Sequence, residues 1–180
     1  MVNPRRRERG FTALELLLVL VISALLLLTA VPALQEWSED KRMSAAMGRL
    51  HTDLNLARRE AIVRNVSVAV CPGDRETGCS AQPAWHLGWL LFEDRNLDRD
   101  WQPGETLVSA GNSAEFLTAR SATSRRVIRF SPSGAAPASN ASIEFCDRRG
   151  PDEGRRLVIS NTGRIRRAPL DAGDATPCNM

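Results

Sequence analysis

The chain has 180 residues, 25% of them charged, with a formal net charge of +3 and four cysteines. That length admits one membrane helix and one globular domain of about 110–120 residues, near the usual single-domain size. The whole excess charge sits in the first ten residues, so the remainder is neutral and general adhesion to polyanions is excluded. Acidic residues outnumber basic ones before Arg120 and the reverse holds after it, which points instead to a local anion-binding face. Lys41 is the sole lysine; every other cation is arginine, the side chain suited to bidentate phosphate contacts.

Residues 1–10 form a leader with Arg5, Arg6, Arg7 and Arg9 and no apolar core of its own. From Leu16 to Gln35 no formal charge occurs, enough for the roughly 20 residues a spanning helix needs. Arginines ahead of such a run keep that end cytoplasmic by the positive-inside rule. Glu15 lies inside the apolar stretch of 11–35, where an isolated charge in lipid costs at least ~2.5 kcal/mol, and so signals a functional group with a partner.

Helix is expected from Phe11 to about Val63, with a kink at Pro32 where a backbone hydrogen bond is lost. In the second half, 36–65, Met43, Met47, Leu50, Leu54, Ala57 and Ala61 make one apolar stripe, with Arg42, Arg49, Asp53, Arg58, Arg59, Glu60 and Arg64 opposite. That stripe packs either on the domain's own sheet or in a seam with a partner helix. After Asn65 the period becomes that of strands, opening a β-rich domain over 66–180. Val66–Cys71, Leu87–Phe92, Val127–Phe130, Ile143–Phe145, Leu157–Ile159 and a last strand Arg164–Arg167 are expected. Pro132, Gly134 and Pro137 mark a turn, and Gly163 turns the chain into the last strand. One long helix followed by strands implies an α+β fold with an antiparallel sheet on the helix's C-terminal half.

All four cysteines follow the apolar run, which suggests two disulfides in an exported domain. Three pairings are open; Cys71–Cys79, closing a short loop, with Cys146–Cys178, tying down the tail, is favoured. No CxxC or Cys/His spacing supports zinc, and His51 and His86 stand alone. Asp94, Asn96, Asp98, Asp100 and Glu105 mimic the spacing of a calcium loop. Arg99 holds the place of the expected glycine there, however, and a polar hairpin loop competes with the metal reading. In a strand, Arg164 and Arg166 share one face while Ile165 takes the other; Arg167, Arg155 and Arg156 could extend the positive surface. Such arginines could engage successive phosphates without reading base sequence, or could pair with Asp147, Asp152 and Glu153 on a solvated strand. No nucleophile–base grouping or phosphate-cradling glycine loop occurs, so no enzyme activity and no cofactor are expected.

Gly10-Phe11-Thr12-Ala13-Leu14-Glu15 closely resembles the class III signal of type IV prepilins and type II secretion pseudopilins. Ala57-Arg58-Arg59-Glu60-Ala61-Ile62, Val68-Ala69-Val70-Cys71, Gly88-Trp89-Leu90-Leu91-Phe92 and Gly163-Arg164-Ile165-Arg166 resemble landmarks of the GspH/FimT group. The resemblance implies a type IV pilin-like fold. It also implies cleavage between Gly10 and Phe11 by a prepilin peptidase, and N-methylation of Phe11. Glu15 would attract a neighbouring subunit's N-terminus during assembly. The implied location is the inner membrane, single-pass with a cytoplasmic N-terminus, and afterwards the periplasm or a pilus fibre among other pilins. FimT-like minor pilins use a GRxR element to bind DNA in natural transformation, which implies that role for Arg164 and Arg166. A structural pseudopilin of type II secretion, or a minor pilin priming pilus assembly, is the alternative.

Overall fold

The computed structural model describes residues 12–112, 114 and 116–170. Helix α1 (Ala13–Arg64) keeps its assignment through Pro32 and crosses the boundary between two compact units at Lys41/Arg42. In the first unit large apolar side chains from Leu14 to Leu34 are exposed. This is one helix long and apolar enough to cross a membrane.

The second unit is built around residues 42–64 of α1. Met43, Met47, Leu50, Leu54, Ala57 and Ala61 are each at most 2% exposed. Their stripe therefore packs within the domain rather than on a partner helix. Against it lie two antiparallel sheets where the strand pattern suggested one. The first contains β1 (Val68–Asp74), β2 (Gly78–Cys79), β3 (Trp89–Glu93), β4 (Leu107–Gly111) and β6 (Ile128–Phe130). The second runs β5 (Thr118–Ser121), β7 (Ala141–Cys146), β8 (Arg155–Ile159), β9 (Ile165–Pro169), with β9 at its edge. Val68, Val70, Leu91, Ile128 and Phe130 of the first sheet and Ile143, Phe145, Leu157 and Ile159 of the second join the helix stripe in one core. The first sheet buries its other face too, through Ala69, Cys71, Leu90 and Phe92.

Strands β2, β4 and β5 escaped the sequence expectation for a physical reason. Leu107–Gly111 is half-buried at every position, and Thr118–Ser121 contains no large apolar residue, so neither shows a period of two. Both are strands because β3 and β7 supply their hydrogen-bond partners. Two buried indoles find acceptors: Trp85 donates to Ser121 Oγ at 3.0 Å and Trp89 to Asp53 Oδ2 at 2.8 Å. Cys71 and Cys79 are joined as a disulfide. Cys146 is also disulfide-bonded, whereas Cys178 lies outside the described residues.

Candidate nucleic-acid interface

The turn that starts β9 is fixed from three directions. Ser160 and Arg164 close it, through Ser160 N–H to the Arg164 carbonyl at 3.0 Å and Gly163 N–H to the Ser160 carbonyl at 2.9 Å. Gly163 has φ +76, and a Cβ there would lie 2.0 Å from the Gly134 carbonyl oxygen, so two turns meet back to back. Arg58 then donates from Nε to that same Gly134 oxygen at 2.9 Å, pinning both turns to α1. A helix residue and two glycines far apart in sequence thus set where the arginine strand begins. The helical pattern put Arg58 on the polar face but could not show what it holds.

The register then divides the expected arginines. Val158 faces Arg166, Leu157 faces Arg167 and Ile159 faces Ile165 across β8 and β9. Leu157 and Ile159 are core residues, so Ile165 and Arg167 belong to the face turned toward α1. Arg155 shares that face and donates from Nη1 to Ser44 Oγ of the helix at 2.8 Å. Arg164 and Arg166 are exposed on the outward side, with Arg156 in the same alternation. The single surface expected of Arg155, Arg156, Arg164, Arg166 and Arg167 is thereby corrected: strand alternation sends Arg155 and Arg167 to the opposite face. On the outer face Glu144 stands opposite both Arg120 and Arg156, so Arg120 joins this surface, and one carboxylate interrupts it.

Two of the carboxylates considered as partners for these arginines, Asp147 and Glu153, are drawn to Arg149. Asp147 is buried and accepts Arg149 Nε at 3.1 Å and Nη2 at 2.7 Å, and Glu153 lies 3.9 Å from the same guanidinium. Among the described residues neither Arg164 nor Arg166 has an ion-pair partner. Their charge is therefore available to an external anion.

His51 of α1 sits against the helix-facing side of β9. Burial lowers its pKa from the usual 6.5, the Arg167 charge lowers it further, and a hydrogen bond to the Ile165 backbone partly opposes both. A histidine kept neutral by folding stabilises fully above 6.5 and loses that contribution as pH falls toward its lowered value, because the unfolded chain takes up the proton first. As pH falls through 6.5 toward that lowered value the parent should lose thermal stability, and His51→Gln should show a smaller loss. Identical pH profiles of Tm would overturn this.

The stretch whose spacing mimics a calcium loop is held by its own polar groups. Among the described residues no three His, Cys, Asp or Glu side chains come together as a metal-binding group. Asp94 is fully buried and has Arg129 Nη1 at 3.5 Å from Oδ2, and the same nitrogen donates to the Leu97 carbonyl at 2.9 Å. Asp98 Oδ2 accepts the Asn96 and Gln102 amides, Asp98 Oδ1 accepts the Asp100 N–H, and Glu105 accepts the Gln102 N–H. Arg99 adopts φ 65, the backbone expected of glycine at its place. The loop thus folds on its own amides, with a guanidinium beside its buried carboxylate.

At the other end of the chain, Glu15 N–H bonds Thr12 Oγ1 at 3.3 Å and Thr12 N–H approaches Glu15 Oε2 at 3.5 Å. This is a capping box at the start of α1, a role that the Thr-x-x-Glu spacing carries and that the membrane argument for Glu15 passed over. Gly10 and Phe11 lie outside the described residues.

A protein-family model described as type II transport protein GspH matches residues 46–163, most of the second unit. The chain belongs to the GspH family. Its match ends one residue before Arg164, so the exposed arginines lie beyond it. Pilin-like protein PilA1 of Thermus thermophilus is 35% identical over 165 residues, covering 88% of this chain and 97% of that protein. The type IV minor pilin FimU of Pseudomonas aeruginosa has a TM-score of 0.54 at 21% identity, over 74% of this chain and 93% of that structure. The minor pseudopilin EPSH of the Vibrio cholerae type II secretion system has a TM-score of 0.50 at 13% identity, over 74% and 98%. The two structural likenesses establish the pilin-like fold: a long apolar helix whose C-terminal half packs on antiparallel strands. Membership in the GspH family and the 35% identical relative make this chain a pilin-like protein, with one N-terminal apolar helix compatible with membrane anchoring.

Proposed function

We propose that this GspH-family chain is a FimT-like minor type IV pilin that binds DNA non-specifically and aids its uptake in natural transformation. The observation carrying this is the pair of exposed arginines, Arg164 and Arg166, on an edge strand with no ion-pair partner among the described residues. Two outward guanidiniums on one strand face suit successive backbone phosphates and carry no base-reading chemistry. Before that role the chain enters the inner membrane with its arginine-rich end in the cytoplasm. Prepilin peptidase cuts between Gly10 and Phe11 and Phe11 is N-methylated. The exposed apolar helix then packs among other pilins, with Glu15 drawing a neighbour's N-terminal amine. Glu15 exchanges its contact with Thr12 for that cation on assembly.

The test uses the full chain in non-ionic detergent, titrated with duplex DNA at several salt concentrations. The parent should bind more weakly as salt rises. Arg164→Gln with Arg166→Gln should lower affinity at low salt by at least about tenfold and flatten the log–log salt slope by up to about two units. An unchanged double variant would remove the site; a parent that fails to bind at low salt would remove the activity. A second reading, a structural pseudopilin of type II secretion, is favoured by the description of the matched family model. Absence of DNA binding in the parent selects it.

A further inference from the structure

Arg166 and Arg167 are neighbours on an edge strand, so they serve opposite faces of the sheet. Arg166 belongs outside with Arg164. Arg167 instead lines a groove of about 590 Å³ on the helix side, together with Gly48, Arg49, Thr52 and Asp53 of α1 and Asn112 just past β4. The Arg167 guanidinium lies over Gly48, where a Cβ would stand in ordinary contact 3.5 Å from Nη2. Arg49 is exposed and, like Arg167, forms no ion pair among the described residues. Asp53 is the one carboxylate in this lining, and its Oδ2 is engaged by the Trp89 indole at 2.8 Å. Two guanidiniums against one carboxylate leave the lining of the concavity net positive, which attracts an anion. The Thr52 hydroxyl and Asn112 amide add neutral donors of the kind that backbone phosphates accept.

We propose that this groove is a second phosphate site, so that DNA crossing β9 is held on both faces of the edge strand. Arg164 and Arg166 take one phosphate row and Arg49 with Arg167 take the other. This inference rests on the DNA-binding reading above and adds to it the helix residues Arg49 and Thr52. A duplex with a groove laid over β9 presents one phosphate row to each side, whereas a one-faced site meets a single row. The two pairs together would neutralise up to four phosphates, each contributing about 0.9 to the salt slope.

The full chain in non-ionic detergent is titrated with a short mixed-sequence DNA duplex across a salt series. Arg49→Gln with Arg167→Gln should weaken binding about tenfold at low salt and reduce the slope by up to about two units. Thr52→Glu, at an exposed helix position, should weaken binding with every arginine still present, and it decides the matter should the double variant prove unfolded. If these variants keep the parent affinity and slope while Arg164→Gln with Arg166→Gln loses binding, the second site is overturned and the DNA-binding role survives. If the parent binds no DNA at low salt, both are overturned.

Discussion

Leu54→Ala should destabilise the second unit by about 2–5 kcal/mol, with a fall in Tm on the order of 10 °C. Leu54 is fully buried in the stripe of α1 and belongs to the one core that both sheets share with the helix. Truncating it removes apolar burial and leaves a cavity that neither sheet can close without moving the other. Val63, 72% exposed on the same helix, provides the contrast, since Val63→Ala should stay within about 0.5 kcal/mol. Thermal unfolding of the full chain in detergent, followed by tryptophan fluorescence, reads both. Equal losses at the two positions would mean that the stripe is not where the sheets are held.

Gly163→Ala should be comparably damaging, at roughly 3 kcal/mol or more. An L side chain at φ +76 costs roughly 1–2 kcal/mol by itself. The added Cβ also meets the Gly134 carbonyl oxygen at 2.0 Å, a backbone atom that cannot swing aside. Moving Gly134 pulls on Arg58, which donates to that oxygen, and so loosens the anchor of β9 on the helix. DNA affinity should therefore fall along with Tm although Arg164 and Arg166 are both retained. Parent-like melting and binding in this variant would show that the paired turns do not hold the arginine strand.

Much of this molecule is readable from residue spacing. The stripe Met43–Ala61 announces its own burial because a helix of period 3.6 places those six residues on one side. Strands β1, β3, β6, β7 and β8 fall within a few residues of the apolar runs that suggested them. For β1 and β3 this is because both their faces are buried, and for β7 because its inward residues recur at a period of two. The candidate site was only half readable. The pattern in 163–167 gives a turn and a strand, and it sets Arg164 and Arg166 together. It does not say which way Arg155 and Arg167 point in the folded sheet, because that follows from the β8–β9 register against the core. Nor does spacing place Arg49 of the helix and Arg167 in one groove, since they are far apart in sequence and share it only through the helix–sheet packing. The loop 94–105 shows the same limit. Ligand spacing within a loop is local, whereas the Arg129 guanidinium that reaches Asp94 arrives from another strand.

Local residue patterns were enough for the long helix, the uncharged run able to span a membrane, the buried stripe, the α+β class and the candidate processing motif. Each of these is set by interactions between residues close in the chain. Tertiary structure alone decided that there are two sheets, that β4 and β5 are strands, and that the arginines divide between two faces. Those outcomes depend on partners distant in sequence, whose hydrogen bonds and packing choose among local conformations of nearly equal energy.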